Sequence, residues 1–158
     1  MTSSINPEGE WKVGSDIRVR KAKTEDLDAV KSLADANRIA LGFVLRPSLA
    51  VSIQKGWMLV AERNGRIIGF VHYRHRKDAQ TTVYQICVDQ PWRGQGIGRT
   101  LMQTLLNESA SMGQTAVRLK TPADIPANRF YQALGFQLIN TEPGRFRPVN
   151  VWEIRLEK

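Results

Sequence analysis

The chain has 158 residues, 42% of them hydrophobic, which fits one globular domain with a sizeable core and leaves little room for a second. A formal charge of +8 raises nucleic acid or another polyanion as a partner, while no apolar run approaches the roughly 20 residues that cross a bilayer. A single cysteine, Cys87, and two histidines exclude an internal disulfide and argue against a structural zinc site, so stability must come from packing.

Residues 1–14 mix Ser, Asn, Pro, Glu and Gly around Trp11 and read as a flexible N-terminal arm; they lack the apolar stretch of a secretion signal, so a cytoplasmic location is expected. Residues 15–158 are then the folded domain. Asp16 to Ala22 alternates Ile17 and Val19 with Arg18 and Arg20, as a half-buried strand does. Thr24 is placed to cap a helix that carries Leu27, Val30, Leu33 and Ala34 on one face. Pro47 suits the first turn of a second short helix, which Gly56 would end.

Two strand-like runs, Trp57 to Arg63 and Arg66 to Arg74, flank Asn64-Gly65, the turn pair that most strongly signals a hairpin. The densest basic cluster, His72-Tyr73-Arg74-His75-Arg76-Lys77, falls where a hairpin loop is expected. It reads either as solvated surface or as a funnel for a polyanion. A third run spans Thr81 to Asp89, and a helix follows from Gly98 to Met112, stopped by Gly113. Ala116 to Thr121 reads as a strand, Pro126 to Leu134 as a short helix stopped by Gly135, and Phe136 to Asn140 and Asn150 to Leu156 as closing strands. The order gives a mixed α/β layer arrangement without the regular alternation of a dinucleotide-binding fold.

Between the third strand and its helix lies Arg93-Gly94-Gln95-Gly96-Ile97-Gly98-Arg99. The first turn of a helix offers unpaired N–H groups and the positive end of a dipole, and glycines let an anion approach the backbone, so this segment suits a pyrophosphate. Arg93 and Arg99 add positive charge. A Walker loop would carry Lys and then Ser or Thr after its last glycine, whereas Arg99-Thr100 stands here, which disfavours ATP chemistry. The alternative is a strand-to-helix turn whose glycines serve geometry alone.

Val88 to Gly98 resembles the acyl-CoA-binding motif of the GNAT (Gcn5-related N-acetyltransferase) superfamily, Arg/Gln-x-x-Gly-x-Gly/Ala, on Arg93, Gly96 and Gly98. Further on, Asn128-Arg129-Phe130-Tyr131-Gln132-Ala133-Leu134-Gly135-Phe136 resembles the superfamily's helix-to-strand segment. The resemblance implies an α/β fold of α+β type, a single domain with a central mixed, mostly antiparallel twisted sheet of about six or seven strands and about four helices. It further implies an acetyl-CoA-dependent N-acetyltransferase, with acetyl-CoA as acyl donor, no metal, and an amine-bearing acceptor.

Carried over residue by residue, Ile86, Cys87 and Val88 would bind the pantetheine arm through backbone atoms, with the Val88 amide polarising the thioester oxygen. Arg93, Gly94, Gln95, Gly96, Ile97, Gly98 and Arg99 would cradle the pyrophosphate. Tyr131 matches the tyrosine that protonates the departing thiolate, and Phe130 and Phe136 read as core. Many members place Asn where this chain has Asp124; Asn128 is a cofactor contact, or else a capping or surface side chain. Some relatives use a carboxylate as base on the strand before the turn, where Thr82 and Tyr84 stand; Glu62, His72 and Asp89 are the other candidates. Residues 38–55 and 141–150, with Arg46, Trp57, Arg145 and Arg147, would border the acceptor groove. A homodimer is compatible with the resemblance, a membrane is not expected as a partner, and nucleic acid is the disfavoured one. The competing readings are a basic RNA-associated protein and a catalytically silent acyl-CoA sensor.

Overall fold

A chain that alternates short β-branched runs with amphipathic stretches builds a sheet covered by helices, and the computed structural model of this protein does so over its described residues, 3–5, 11–13, 16–42 and 44–156. In chain order the elements are β1 (Ser3–Ile5), β2 (Trp11–Val13), β3 (Ile17–Lys21), α1 (Leu27–Ala36), α2 (Arg38–Leu41), α3 (Arg46–Gln54), β4 (Met58–Arg63), β5 (Arg66–His75) and β6 (Gln80–Val88). There follow α4 (Ile97–Ser111), β7 (Ala116–Pro122), α5 (Ala127–Ala133), β8 (Gln137–Glu142) and β9 (Val149–Arg155). Parallel pairing is confined to β6 with β7 among the strand pairs described below, so the sheet is of the mixed, mostly antiparallel kind expected.

The chain divides into two compact units, 1–73 with 85–105 and 74–84 with 106–158, and passes from one to the other within β5, β6 and α4. In the first unit the strand order is β1-β2-β3-β4-β5-β6. The expected N-terminal arm falls partly outside the described residues. Within it, β1 and β2 pair antiparallel with each other, and β2 with β3, which occupies an edge that would otherwise present unpaired N–H and C=O groups. The β4–β5 hairpin turns on Asn64 and Gly65, at φ +50° and +81°, the left-handed pair a two-residue type I′ turn requires.

Thr24 does not cap α1 as expected. A 3-10 turn, Thr24–Asp26, precedes the helix, and the Lys23 N–H donates to the Asp26 carboxylate at 2.7 Å. The buried Asp26 also receives both terminal nitrogens of Arg20, at 2.8 and 3.1 Å, while Arg20 Nε donates to Glu62 at 3.1 Å. Burial works to raise the Asp26 carboxyl, but the bonds from Arg20 and Lys23 outweigh it and hold it below its usual range. Val30, Leu33 and Ala34 of α1 and Leu49 and Ile53 of α3 pack on Met58, Val60, Ile67, Phe70 and Cys87.

Opposite β4, the register passes from Ala61↔Gly69 to Glu62↔Ile67, leaving Ile68 as the extra residue of a bulge. Ile68 O accepts the Asp89 N–H at 2.8 Å, which fixes the end of β6. Gly69 fits closely there: a Cβ would stand 3.0 Å from Cys87 O and 3.4 Å from Leu101 Cδ1.

In the second unit β6 pairs parallel with β7 over Gln80–Val83 and Ala116–Leu119, and runs on past that ladder. β7 pairs with β9, and β9 with β8 at the edge, where Leu138 and Ile139 are exposed. The basic cluster is a correction. His72 to His75 lie in β5 rather than on a loop, His72 and Tyr73 are buried, and His75 is held between Thr81 at 2.8 Å and Glu108 at 2.7 Å. β5 is buried without a break from Ile67 to Tyr73, as a strand covered on both faces is, and the stretch leaves Arg74, Arg76 and Lys77 as its exposed cations.

Candidate functional site

After β6 the chain makes a 3-10 turn, Gln90–Trp92, and then passes through Gly94 and Gly96 at φ +79° and +84°, conformations that glycine adopts without strain. Gly94, Gln95 and Gly96 are exposed, whereas Ile97 is buried and anchors the first residue of α4. The Thr100 N–H closes the first helical bond onto Gly96 O at 3.0 Å, so the amides of Ile97, Gly98 and Arg99 have no place in the helix ladder. No acidic residue stands in the first turn of α4 to compete for its positive end. Arg99 is exposed beside it. Arg93 is exposed as well, yet its Nε donates to Val88 O at 2.9 Å and its Nη2 to Asn37 Oδ1 at 2.6 Å. It therefore ties the end of β6 to the end of α1 besides lending charge.

Of the strand residues, Ile86 and Val88 are half-buried and Cys87 is buried. Burial pushes the Cys87 thiol up to about 11, with Arg93 pulling the other way, so it is a packed side chain rather than a thiolate. Among the candidate bases, Glu62 is committed to Arg20, and Asp89 faces Arg66 at 3.5 Å. His72 is buried, with Nδ1 2.8 Å from Gln85 Oε1 and Nε2 2.6 Å from Ser52 Oγ. A carboxamide oxygen only accepts, so Nδ1 carries the hydrogen and Nε2 accepts from the Ser52 hydroxyl. Burial lowers the His72 pKa, against an upward pull from Gln85, which favours this neutral form. Ser52 and Gln85 went unremarked in the sequence because their link to His72 joins α3, β5 and β6, and no local pattern marks it.

In the second unit, α5 carries Tyr131, buried and set edge-on to Phe130 and Phe136 with ring centroids 5.4 and 6.0 Å away. Burial pushes its phenol up to about 12, so it stays protonated and is a donor. Its hydroxyl has no hydrogen-bond partner among the described residues. Asn128, one helical turn earlier, is an internal hub. Its Oδ1 accepts from Thr121 at 2.7 Å, Trp152 Nε1 at 2.8 Å and Asn150 at 3.1 Å, and its Nδ2 donates to Pro122 O and Ile125 O. That geometry favours internal bonding over a cofactor contact for its side chain. Asp124 is exposed and pairs with Arg147 at 3.3 Å.

The residues expected to border an acceptor are scattered in their bonding. Arg46 pairs with Asp28, Trp57 lies under Lys55 at 5.2 Å, and Arg145 covers the exposed Phe146 at 5.2 Å. The second unit also holds a groove of about 540 Å³ lined by Gln80, Thr82 and Tyr84 of β6, Arg118 and Lys120 of β7, and Ile139 and Glu142 of β8. Among the described residues, no group of His, Cys, Asp or Glu could hold a metal ion, and no helix is long and apolar enough to cross a membrane.

The model of the acetyltransferase (GNAT) domain matches residues 54–138, more than half of the chain and both motif segments. The chain belongs to the GNAT acetyltransferase family. This GNAT chain is 33% identical over 120 residues to a mycothiol acetyltransferase of Pseudarthrobacter chlorophenolicus, covering 68% of itself and 37% of that protein, so it spans only about a third of that relative's length. It is 30% identical over 131 residues to the 5-NmdU N-acetyltransferase of Pseudomonas phage PaMx11, covering 81% of itself and 92% of that protein. Its fold superposes on the PaiA N-acetyltransferase of Thermoplasma acidophilum, solved in complex with coenzyme A, with a TM-score of 0.78 at 17% identity, covering 89% of this chain and 99% of that one.

Proposed function

We propose that this GNAT chain is an N-acetyltransferase that carries an acetyl group from acetyl-CoA directly to the primary amine of a small molecule, protein or peptide. The observation that carries the reading is the turn into α4, where exposed glycines at positive φ lead into a helix start with uncommitted amides and no acid. In this reading residues 15–158 are the acyltransferase domain, and it works in the cytoplasm. Gly94 to Arg99 hold the pyrophosphate, and the backbone of Ile86, Cys87 and Val88 holds the pantetheine arm. When bound, acetyl-CoA supplies the activated thioester.

The amine attacks the thioester carbonyl while the Val88 N–H stabilises the oxygen as its charge grows. Arg93 supports this step, because its bond to Val88 O steadies the peptide that ends the strand. Tyr131, protonated and with no partner for its hydroxyl among the described residues, donates to the departing thiolate. The candidate carboxylates Glu62 and Asp89 are paired with arginines, which favours an amine that arrives neutral or loses its proton to water. Nucleic acid is the disfavoured partner in this reading, since His72 and Tyr73 of the basic cluster are buried in β5 and Arg74, Arg76 and Lys77 are its exposed cations. A homodimer is compatible with it.

Free-thiol release from acetyl-CoA is the test, measured across a panel of amino acids, polyamines, aminoglycosides, peptides and 5-NmdU. Amine-dependent thiol release is expected with at least one class. Binding of acetyl-CoA without release in any of them would make the chain a sensor.

A further inference from the structure

Gln85 stands out as a half-buried side chain whose two ends are treated unequally. Its Oε1 is taken by His72 Nδ1 at 2.8 Å, and His72 is itself fixed by Ser52 at 2.6 Å. Its Nε2, with two N–H donors, has no hydrogen-bond partner among the described residues. A carboxamide free at both ends would swing about its last torsion. Here Ser52 orients His72, and His72 orients the amide, which sets the direction of the donors. Ser52 and His72 are both buried, which keeps water from competing for the relay.

The position on β6 gives this donor a purpose. Gln85 immediately precedes the Ile86–Val88 segment, and at about 3.3 Å per residue it lies roughly 10 Å along the strand from Val88. A glutamine side chain and a few bonds of substrate span that distance. Together with Cys87 it turns to the side of β6 covered by α1 and α3, since Cys87 packs among their side chains and Ser52 belongs to α3. Resting on the acetyltransferase reading above, we infer that Gln85 is a specificity-determining contact for the acceptor, donating to a carbonyl or carboxylate oxygen carried close to the attacking amine, with His72 and Ser52 as its positioning residues. The acceptor class is therefore the α-amino acid or peptide N-terminus, in preference to plain alkylamines and polyamines. An alkylamine offers nothing for the donors to meet, and binding it leaves them dry and unpaired.

The test compares kcat/KM for L-alanyl-glycine and for n-butylamine in the wild type and in Gln85→Leu, Gln85→Glu, His72→Asn and His72→Leu, with acetyl-CoA binding followed by calorimetry. The wild type is expected to favour the dipeptide. Gln85→Leu and Gln85→Glu should each cut that preference by roughly 10- to 100-fold, the range for a bond to a charged or polar partner, with acetyl-CoA affinity unchanged. His72→Asn, which keeps a donor near the place of Nδ1, should retain more of the preference than His72→Leu. A preference left intact in either Gln85 variant overturns the inference, and having both guards against one that fails to fold. So does a wild type that turns over n-butylamine as well as the dipeptide, or neither. A pH limb of kcat/KM that vanishes in His72→Asn would make His72 a proton acceptor, and that too overturns the positioning role. Wild type that does not bind acetyl-CoA removes the acetyltransferase reading itself, whereas binding with an unmoved preference removes only this inference.

Discussion

The turn into α4 and the corner around α5 hold polar groups in place by opposite means. At the turn the useful groups belong to the backbone: positive-φ glycines, the open amides of a helix start and the end of β6, tied down by Arg93 and by the bond from Asp89 to Ile68. At the α5 corner they belong to side chains, with Asn128 gathering donors from β7 and β9 and Tyr131 wedged between two phenylalanines. A backbone site is insensitive to most side-chain changes and intolerant of a changed φ. A side-chain site is the reverse.

That contrast orders the expected effects. Tyr131→Phe keeps the packing and removes the donor, so kcat should fall by about 100-fold or more, the usual worth of a general acid, with acetyl-CoA affinity little changed. Equal turnover would remove Tyr131 from the acid's role. Because burial holds the phenol at about 12, the wild type should lose activity through this group only as the pH approaches that value, and no alkaline limb near neutrality should belong to it. Gly96→Val imposes a β-branched residue at φ +84° and crowds the open amides. A penalty of about 1–2 kcal/mol for the backbone alone predicts acetyl-CoA binding weakened by roughly 5- to 30-fold in a calorimetric titration. Replacing Gln95, whose side chain is exposed, should cost far less.

Asn128→Ala would leave Thr121, Trp152 and Asn150 without their shared acceptor, at a cost of about 2 kcal/mol read by denaturant unfolding. Acetyl-CoA affinity should stay within about twofold, a few tenths of a kcal/mol, since the side chain is bonded within the protein. Loss of affinity in a variant that stays fully folded would return Asn128 to the cofactor. The smallest effect is expected at Cys87. With its thiol pushed up to about 11, alkylation by iodoacetamide at neutral pH should be slow, and Cys87→Ala should acetylate at nearly the wild-type rate.

What the sequence disclosed follows the same division. The Asn64-Gly65 hairpin, the glycine stops at Gly56, Gly113 and Gly135, and the turn into α4 are local events, each written in adjacent residues. The arrangements that escaped are long-range. Charge dominates a short window and makes the basic stretch read as a loop, yet β5 is covered on both faces and holds His72 against Ser52 and Gln85. Asp26, not Thr24, organises the start of α1 because Arg20 arrives from β3 and holds Glu62 of β4 as well. The hub at Asn128 depends on Thr121, Asn150 and Trp152, which come from two strands on either side of it. Its motif marked the residue without revealing whether it faced a cofactor or the protein.

Titration of acetyl-CoA into the purified wild-type protein by calorimetry bears most directly on the account. Saturable binding below a ligand concentration of about a millimolar, weakened in Gly96→Val and preserved in Asn128→Ala, is the predicted result. No heat of binding in the wild type up to that concentration would contradict the assignment of the turn into α4 to acyl-CoA.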